Sequence, residues 1–195
     1  MKPISSRAAV SFAVAAFALE LVASLMYAAA AGFSGGLSVD PSVLLASGPT
    51  GAALIRWGSV IDLLGYLCLA PVALYLRARY ATSRYVDLFA AAGLAVVVIG
   101  SIGAASMATA APPLINDYAS AGSAAKQSLA PAFATLYRTV VLGLWQTLET
   151  IPWAIWLLGT ALVARREGPR PVVVILVVVG ALNAAIALYR LVAPS

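Results

Sequence analysis

The chain has 195 residues, of which 63% are hydrophobic and only 10% are charged, and its mean hydropathy is +0.97. Soluble domains carry about 25% charged residues, so the composition predicts an integral membrane protein and excludes a soluble catalytic domain. There is no histidine and only one cysteine, which removes the commonest metal and haem ligand and any disulfide framework. We therefore expect neither a metal nor a cofactor.

Five hydrophobic runs are long enough to cross a bilayer, which takes about 20 apolar residues. The third run ends at Pro112-Pro113, where a helix cannot easily continue. The fourth comes from a stretch without turn signals, Leu129 to Ala164, whose first part we place outside the ~30 Å hydrocarbon core because the stretch is ~54 Å long. The predicted spans are 8–32, 50–76, 85–111, 139–164 and 171–192, with outer surface segments at 33–49 and 113–138. This predicts an all-α fold, a single transmembrane helical bundle of five spans over 1–195, with six spans as the alternative.

The basic residues predict the orientation of the bundle. With five spans, eight of them fall on one side, namely Lys2, Arg7, Arg77, Arg79, Arg84, Arg165, Arg166 and Arg170. The other side keeps Arg56, Lys126, Arg138 and Arg190. The positive-inside rule then places the N-terminus in the cytoplasm and the C-terminus outside. The net charge of +5 is explained by topology and by attraction to the lipid bilayer, so no nucleic-acid partner is expected.

Three carboxylates interrupt the hydrophobic runs: Glu20, Asp62 and Glu149. An acid at bilayer depth costs roughly 2.5–3.5 kcal/mol on insertion scales, and such residues face the bundle interior or a wet cavity. The predicted spans place all three within roughly 5 Å of one level. They therefore predict a mid-membrane acidic site.

Polar and aromatic neighbours extend this predicted site. Arg138, Leu142, Trp145 and Glu149 are spaced by 4, 3 and 4 residues, which is one stripe of an α-helix. The candidate ligand- or cation-binding residues are Glu20, Asp62, Glu149, Arg56, Arg138, Tyr27, Tyr66, Trp145, Gln146 and Asn183. No catalytic or metal-binding residue is assigned.

Two stretches resemble a large bacterial family of multi-pass membrane proteins known only as a domain of unknown function. They run from Leu54 through Arg56-Trp57 and Asp62 to Leu76, and from Leu136 through Trp145 and Glu149 to Gly159. The resemblance covers residues 50–190. It implies a compact helical bundle in the bacterial inner membrane, and it supplies no activity.

Two functions follow from these observations. The first is a small transporter or ligand-binding protein whose acidic cavity opens to the outer side and takes a cation, a proton or a cationic amphiphile. The alternative is a structural, accessory or sensory membrane protein whose acids are satisfied internally. An enzyme is not expected, since three acids without histidine would suit Mg²⁺ or Ca²⁺ at best. Small residues spaced by four, at Gly100, Ala104 and Ala108 and at Gly180 and Ala184, predict close helix contacts and offer faces for a homo-oligomer.

Overall fold

A computed structural model describes residues 4–33, 40–165 and 168–192. Lys2, Arg166 and residues 34–39 of the predicted outer loop lie outside the described residues. The described chain is helical and forms α1 (Ser6–Ala30), α2 (Pro41–Leu45), α3 (Gly48–Arg79), α4 (Val86–Ser120), α5 (Ser123–Tyr137), a π-helical segment (Arg138–Leu148), α6 (Thr150–Ala164) and α7 (Arg170–Val192). The prediction of an all-α fold is confirmed.

Five helical stretches are long and apolar enough to cross a membrane: Ser6–Ala30, Gly48–Arg79, Val86–Ser120, Ser123–Ala164 and Arg170–Val192. They indicate a multi-pass membrane protein built as a helical bundle. Helices suit this setting because each satisfies its own backbone hydrogen bonds where no water is available. The orientation of the termini stays a prediction.

The described residues divide into two compact units. Unit 1 falls within Met1–Ala16, Tyr66–Gly100 and Leu144–Ser195, and unit 2 falls within Phe17–Gly65 and Ser101–Gly143. In unit 1, Tyr66, Ala73, Ala92, Val96 and Trp156 form a buried cluster from α3, α4 and α6. In the same unit α6 packs along α7.

Unit 2 has its own set of fully buried side chains, namely Ile55, Met107, Ile115 and Phe133. The short helix α2 packs against α5 in this unit. Its N-cap is Asp40, whose Oδ1 accepts a hydrogen bond of 2.8 Å from the backbone N–H of Ser42. That hydrogen bond holds the pKa of the exposed Asp40 carboxyl below its usual value.

Helix α1 buries a stripe of alanines and leaves its larger apolar side chains exposed. Ala9, Ala16, Ala23 and Ala30 repeat every seven residues and are at most 6% exposed. Phe17, by contrast, is 72% exposed. The helix therefore approaches the rest of the chain through methyl groups, because Ala brings a neighbouring backbone close without side-chain bulk.

The prediction that the third span ends at residue 111 is wrong. Helix α4 continues through Pro112 and Pro113 to Ser120. Two prolines remove two N–H donors from the helix, yet Ala111 and Ile115 on either side of them are 0% exposed. Burial of these flanking residues keeps the helical path that proline alone disfavours.

The pair Gly48-Pro49 separates the two helices, since α2 ends at Leu45 and α3 begins at Gly48. Gly48 has φ +67°, which turns the chain sharply after α2, and Pro49 then occupies the first turn, where its missing N–H is not needed. Residues 113–138, predicted as one outer segment, are divided between the end of α4, the helix α5 and the start of the π-helical segment.

Candidate functional site

Glu149 is a buried carboxylate with two side-chain donors. It is 3% exposed and lies at the junction of the π-helical segment and α6. Its Oε2 accepts a hydrogen bond of 3.0 Å from the hydroxyl of Tyr66, and its Oε1 accepts one of 2.7 Å from Nε1 of Trp153. Both carboxylate oxygens are thus engaged by aromatic side chains, from α3 and from the next turn of α6.

Gly100 of α4 makes room for this arrangement. A Cβ atom at Gly100 would lie 2.1 Å from Cε1 of Tyr66, so only glycine lets the tyrosine ring lie directly on the helix. Nε1 of Trp145 also donates to the carbonyl oxygen of Gly100, at 3.4 Å. Gly100 therefore contacts both Tyr66, which donates to Glu149, and Trp145. We call Tyr66, Gly100, Trp145, Glu149 and Trp153 the Glu149 network.

The chain winds differently just before Glu149 than the sequence predicted. Residues Arg138–Leu148 are π-helical, and the N–H of Glu149 donates to the carbonyl of Leu144, five residues back, at 2.8 Å. A stripe spaced by 4, 3 and 4 residues requires α-helical winding, so the predicted single face is wrong. Its members differ in environment accordingly, since Arg138 is exposed whereas Glu149 is buried.

Two further predicted residues lie in unit 1. Oε1 of Gln146 accepts a short hydrogen bond from Nη2 of Arg190, which connects the π-helical segment to the last turn of α7. Asn183 donates from Nδ2 to the carbonyl of Val179 on its own helix, at 2.9 Å. Gln146 therefore links two elements, whereas Asn183 satisfies its amide locally.

Unit 2 holds the other two acids. Asp62 is 4% exposed, and the neighbouring Ser59, which is 0% exposed, shares a hydrogen bond of 2.6 Å with the hydroxyl of Tyr27. Tyr27 lies within electrostatic reach of both Asp62 and Glu20. Glu20 itself is exposed, two residues from the middle of α1. The two acids of this unit therefore differ in environment although both interrupt apolar helices.

The two arginines among the predicted site residues lie on the surface. Arg56 and Arg138 are both exposed. Across residues 4–33, 40–165 and 168–192, neither side chain forms an ion pair with a carboxylate. Within the described residues, neither arginine therefore neutralises one of the three acids through an ion pair.

The small-residue faces are used within the chain. Gly100, Ala104 and Ala108 are buried, and a Cβ atom at Gly180 would lie 2.8 Å from Cγ of Leu158 on α6. Close helix contacts were predicted correctly at these residues. At these positions the chain's own helices make the close contacts. A homo-oligomer stays a prediction.

The Glu149 network is suited to holding helices together. A carboxylate that accepts two hydrogen bonds acts as an acceptor only, and each such bond contributes about 1.5–3 kcal/mol when one partner is charged. Among the described residues, no group of three or more His, Cys, Asp and Glu side chains is placed to hold a metal ion.

Sequence reasoning missed Trp153 and Gly100 as members of this network. Trp153 follows Glu149 by four residues, the spacing that puts two side chains on one face of α6, and this signal was available. Gly100 was interpreted only as a helix-contact residue. Its role depends on Tyr66, 34 residues earlier in the chain, so no local pattern shows it.

Comparison of the chain with family models, with curated proteins and with solved structures finds no match. The resemblance to a bacterial membrane-protein family therefore stays a prediction.

Replacing Gly100 with alanine should displace Tyr66 and weaken the Glu149 network. The added methyl group overlaps the tyrosine ring, and overpacking of this kind costs about 1–3 kcal/mol. We expect a lower melting temperature for Gly100→Ala in detergent. Gly143→Ala is the matched control, because its nearest contact, the carbonyl oxygen of Arg138, lies at 3.5 Å. Equal melting temperatures for the two variants would contradict the packing of Tyr66 on Gly100.

Tyr66→Phe should lower the free energy of unfolding by about 1–3 kcal/mol, since it removes one donor to a buried carboxylate and keeps the ring. Tyr189→Phe is the control, because Tyr189 is 67% exposed and loses only a surface hydroxyl. Reversible unfolding in mixed micelles would measure both. If Tyr66→Phe is as stable as the control, the hydrogen bond to Glu149 does not stabilise the fold.

Proposed function

We propose that the protein is an accessory membrane protein that docks against a second membrane-spanning chain through α1. The observation that carries the proposal is the exposed Glu20 near the middle of an apolar helix. In hydrocarbon an unneutralised carboxylate costs roughly 2.5–3.5 kcal/mol, and a neighbouring helix with a suitable donor removes much of that cost. Glu20 therefore supports a partner in contact with α1.

Glu149 provides the contrast within the same chain. It lies in an apolar helix as Glu20 does, but two donors of its own chain satisfy it. The fold is therefore able to supply hydrogen-bond donors to an acid in an apolar helix. Exposure of Glu20 is thus best explained by an interaction that the isolated chain does not contain.

The chemistry of Glu20 also favours a particular kind of partner. A second copy in the same orientation would bring Glu20 close to its own counterpart, and like charges repel in a low-dielectric medium. A helix that presents arginine, lysine or a hydroxyl or amide donor at this depth complements the acid instead. We therefore infer a chain of different sequence with such a donor.

Glu20→Leu should abolish this association while leaving the fold intact, because the side chain is exposed and leucine suits hydrocarbon. A photo-crosslinking side chain in place of Phe17, which is 72% exposed and precedes Glu20 by three residues, should give a discrete adduct in native membranes. We expect that adduct to disappear when Glu20→Leu is added. The same crosslinker in place of Val178, an exposed residue of α7, is the control for random collision.

An adduct with the mass of two copies of this chain would contradict the inferred partner. An adduct that survives Glu20→Leu would contradict the role of the acid. Thermal unfolding checks that Glu20→Leu is folded. Glu149→Leu is the comparison and should unfold at a lower temperature than Glu20→Leu, because it removes the acceptor of the Tyr66 and Trp153 donors.

Binding of a cationic amphiphile is the second candidate function, and the surroundings of Tyr27 favour it. Glu20 and Asp62 lie within electrostatic reach of its hydroxyl, and two acids in apolar helices would attract a lipophilic cation. A ligand that binds only the folded state raises the melting temperature.

Tetraphenylphosphonium tests this candidate against the accessory function. If the protein is an accessory chain, we expect the same melting temperature with and without the cation. A rise in melting temperature that is lost in both Glu20→Leu and Asp62→Asn would favour cation binding and displace the primary proposal.

A further inference from the structure

A cavity of about 380 Å³ in unit 1 is lined by the turn between α3 and α4 and by the end of α6. Sites for small molecules usually have volumes of about 300–1,000 Å³. Its polar lining includes Thr82, Ser83, Arg84 and Arg165. None of its lining residues belongs to the Glu149 network, so the cavity is a separate feature of the molecule.

The cavity carries two positive charges that the described chain does not neutralise. Throughout the described ranges 4–33, 40–165 and 168–192, neither Arg84 nor Arg165 pairs with a carboxylate. Nearby Arg77, by contrast, forms an ion pair of 2.6 Å with Asp87. Arg84 is held in place by its position over the ring of Tyr85, 4.4 Å from the centroid.

This arrangement favours a phosphate group. Guanidinium groups bind phosphate oxygens through two parallel hydrogen bonds, and the hydroxyls of Thr82 and Ser83 are additional donors. Helix α4 begins at Val86, directly after this turn, and the positive end of its dipole also favours an anion there.

One wall of the cavity is apolar, which favours an amphiphile over a free anion. Leu162 and Val163 of α6 line it, and Leu162 is 47% exposed on a helix that is apolar enough to lie in hydrocarbon. Tyr80 and Tyr85 line it as well, and tyrosine is enriched where hydrocarbon meets lipid headgroups. The cavity thus places cations, hydroxyls and aromatic rings beside an exposed leucine. This arrangement is complementary to a phospholipid, whose charged headgroup adjoins apolar acyl chains.

We propose that this cavity binds the phosphate of an anionic phospholipid, with Arg84 and Arg165 on the phosphate and Leu162 against the acyl chains. Basic pockets between membrane-spanning helices bind anionic lipid headgroups in this way. The proposal is independent of the docking of α1, because it involves neither Glu20 nor any residue of unit 2.

Thermal unfolding of the full chain with phosphatidylglycerol tests the proposal. We expect phosphatidylglycerol to raise the melting temperature, whereas phosphatidylcholine and inorganic phosphate at the same concentration should not. Arg84→Gln and Arg165→Gln should each weaken phosphatidylglycerol binding about tenfold or more, because each removes charged hydrogen bonds to the phosphate. Arg170→Gln removes the same charge from an exposed residue outside the cavity and should bind as the unaltered protein does.

Each alternative result is decisive. If Arg170→Gln weakens binding as much as Arg84→Gln, the attraction is due to net charge and the cavity proposal is overturned. If inorganic phosphate stabilises the protein as well as phosphatidylglycerol does, the ligand is a free anion and the lipid assignment is overturned. The melting temperature in phosphatidylcholine alone shows whether each variant is folded. Arg84→Lys keeps the positive charge but lacks the planar guanidinium, so it should retain only part of the affinity for phosphatidylglycerol.

Discussion

Burial of the Glu149 carboxylate is the constraint on which the surrounding structure depends. An acid that is 3% exposed in an apolar helix must be hydrogen-bonded, and Tyr66 and Trp153 both donate to it. Tyr66 reaches it only because Gly100 lets the ring lie on α4. One polar group thereby ties α3, α4 and α6 together where apolar packing alone would leave many near-equivalent arrangements. Such a polar contact contributes more to a unique helix arrangement in a bilayer than in water, because lipid tails compete with side chains for apolar contact.

The general architecture could be predicted from the sequence because hydrophobic run length has few physical interpretations. Stretches of about 20 apolar residues form helices in a membrane, and the five predicted spans overlap the five long helices. The boundaries were less predictable. Proline and glycine rules describe isolated helices, so they could not anticipate that Ala111 and Ile115 would be buried on either side of Pro112. At this point in α4, burial in the tertiary structure outweighs the local preference of proline against a continuous helix.

The candidate site was predictable by residue type and not by geometry. Hydropathy alone identifies Glu20, Asp62 and Glu149, because any acid in such runs is conspicuous. Which face each acid occupies depends on helical winding, and the π-helical segment before Glu149 changes that winding. Segments of this kind occur frequently at functional sites, yet no simple residue pattern encodes them. Exposure of Glu20 likewise depends on which helices contact α1, which is long-range information.

The alanine stripe of α1 packs the helix against its neighbours but does not fix its position along them. Alanine has no side-chain rotamers to lose, so α1 docks with little entropic penalty. The stripe repeats every seven residues, however, and a shift of one repeat, about 10 Å along the axis, would present the same methyl surface to the neighbouring helices. Alanine contacts therefore do not define how far α1 is inserted along its neighbours. The hydrogen bond between Tyr27 and Ser59 does, because it joins two single positions on α1 and α3. That hydrogen bond therefore fixes the axial register of α1 against α3, and with it the position of Glu20 along the neighbouring helix.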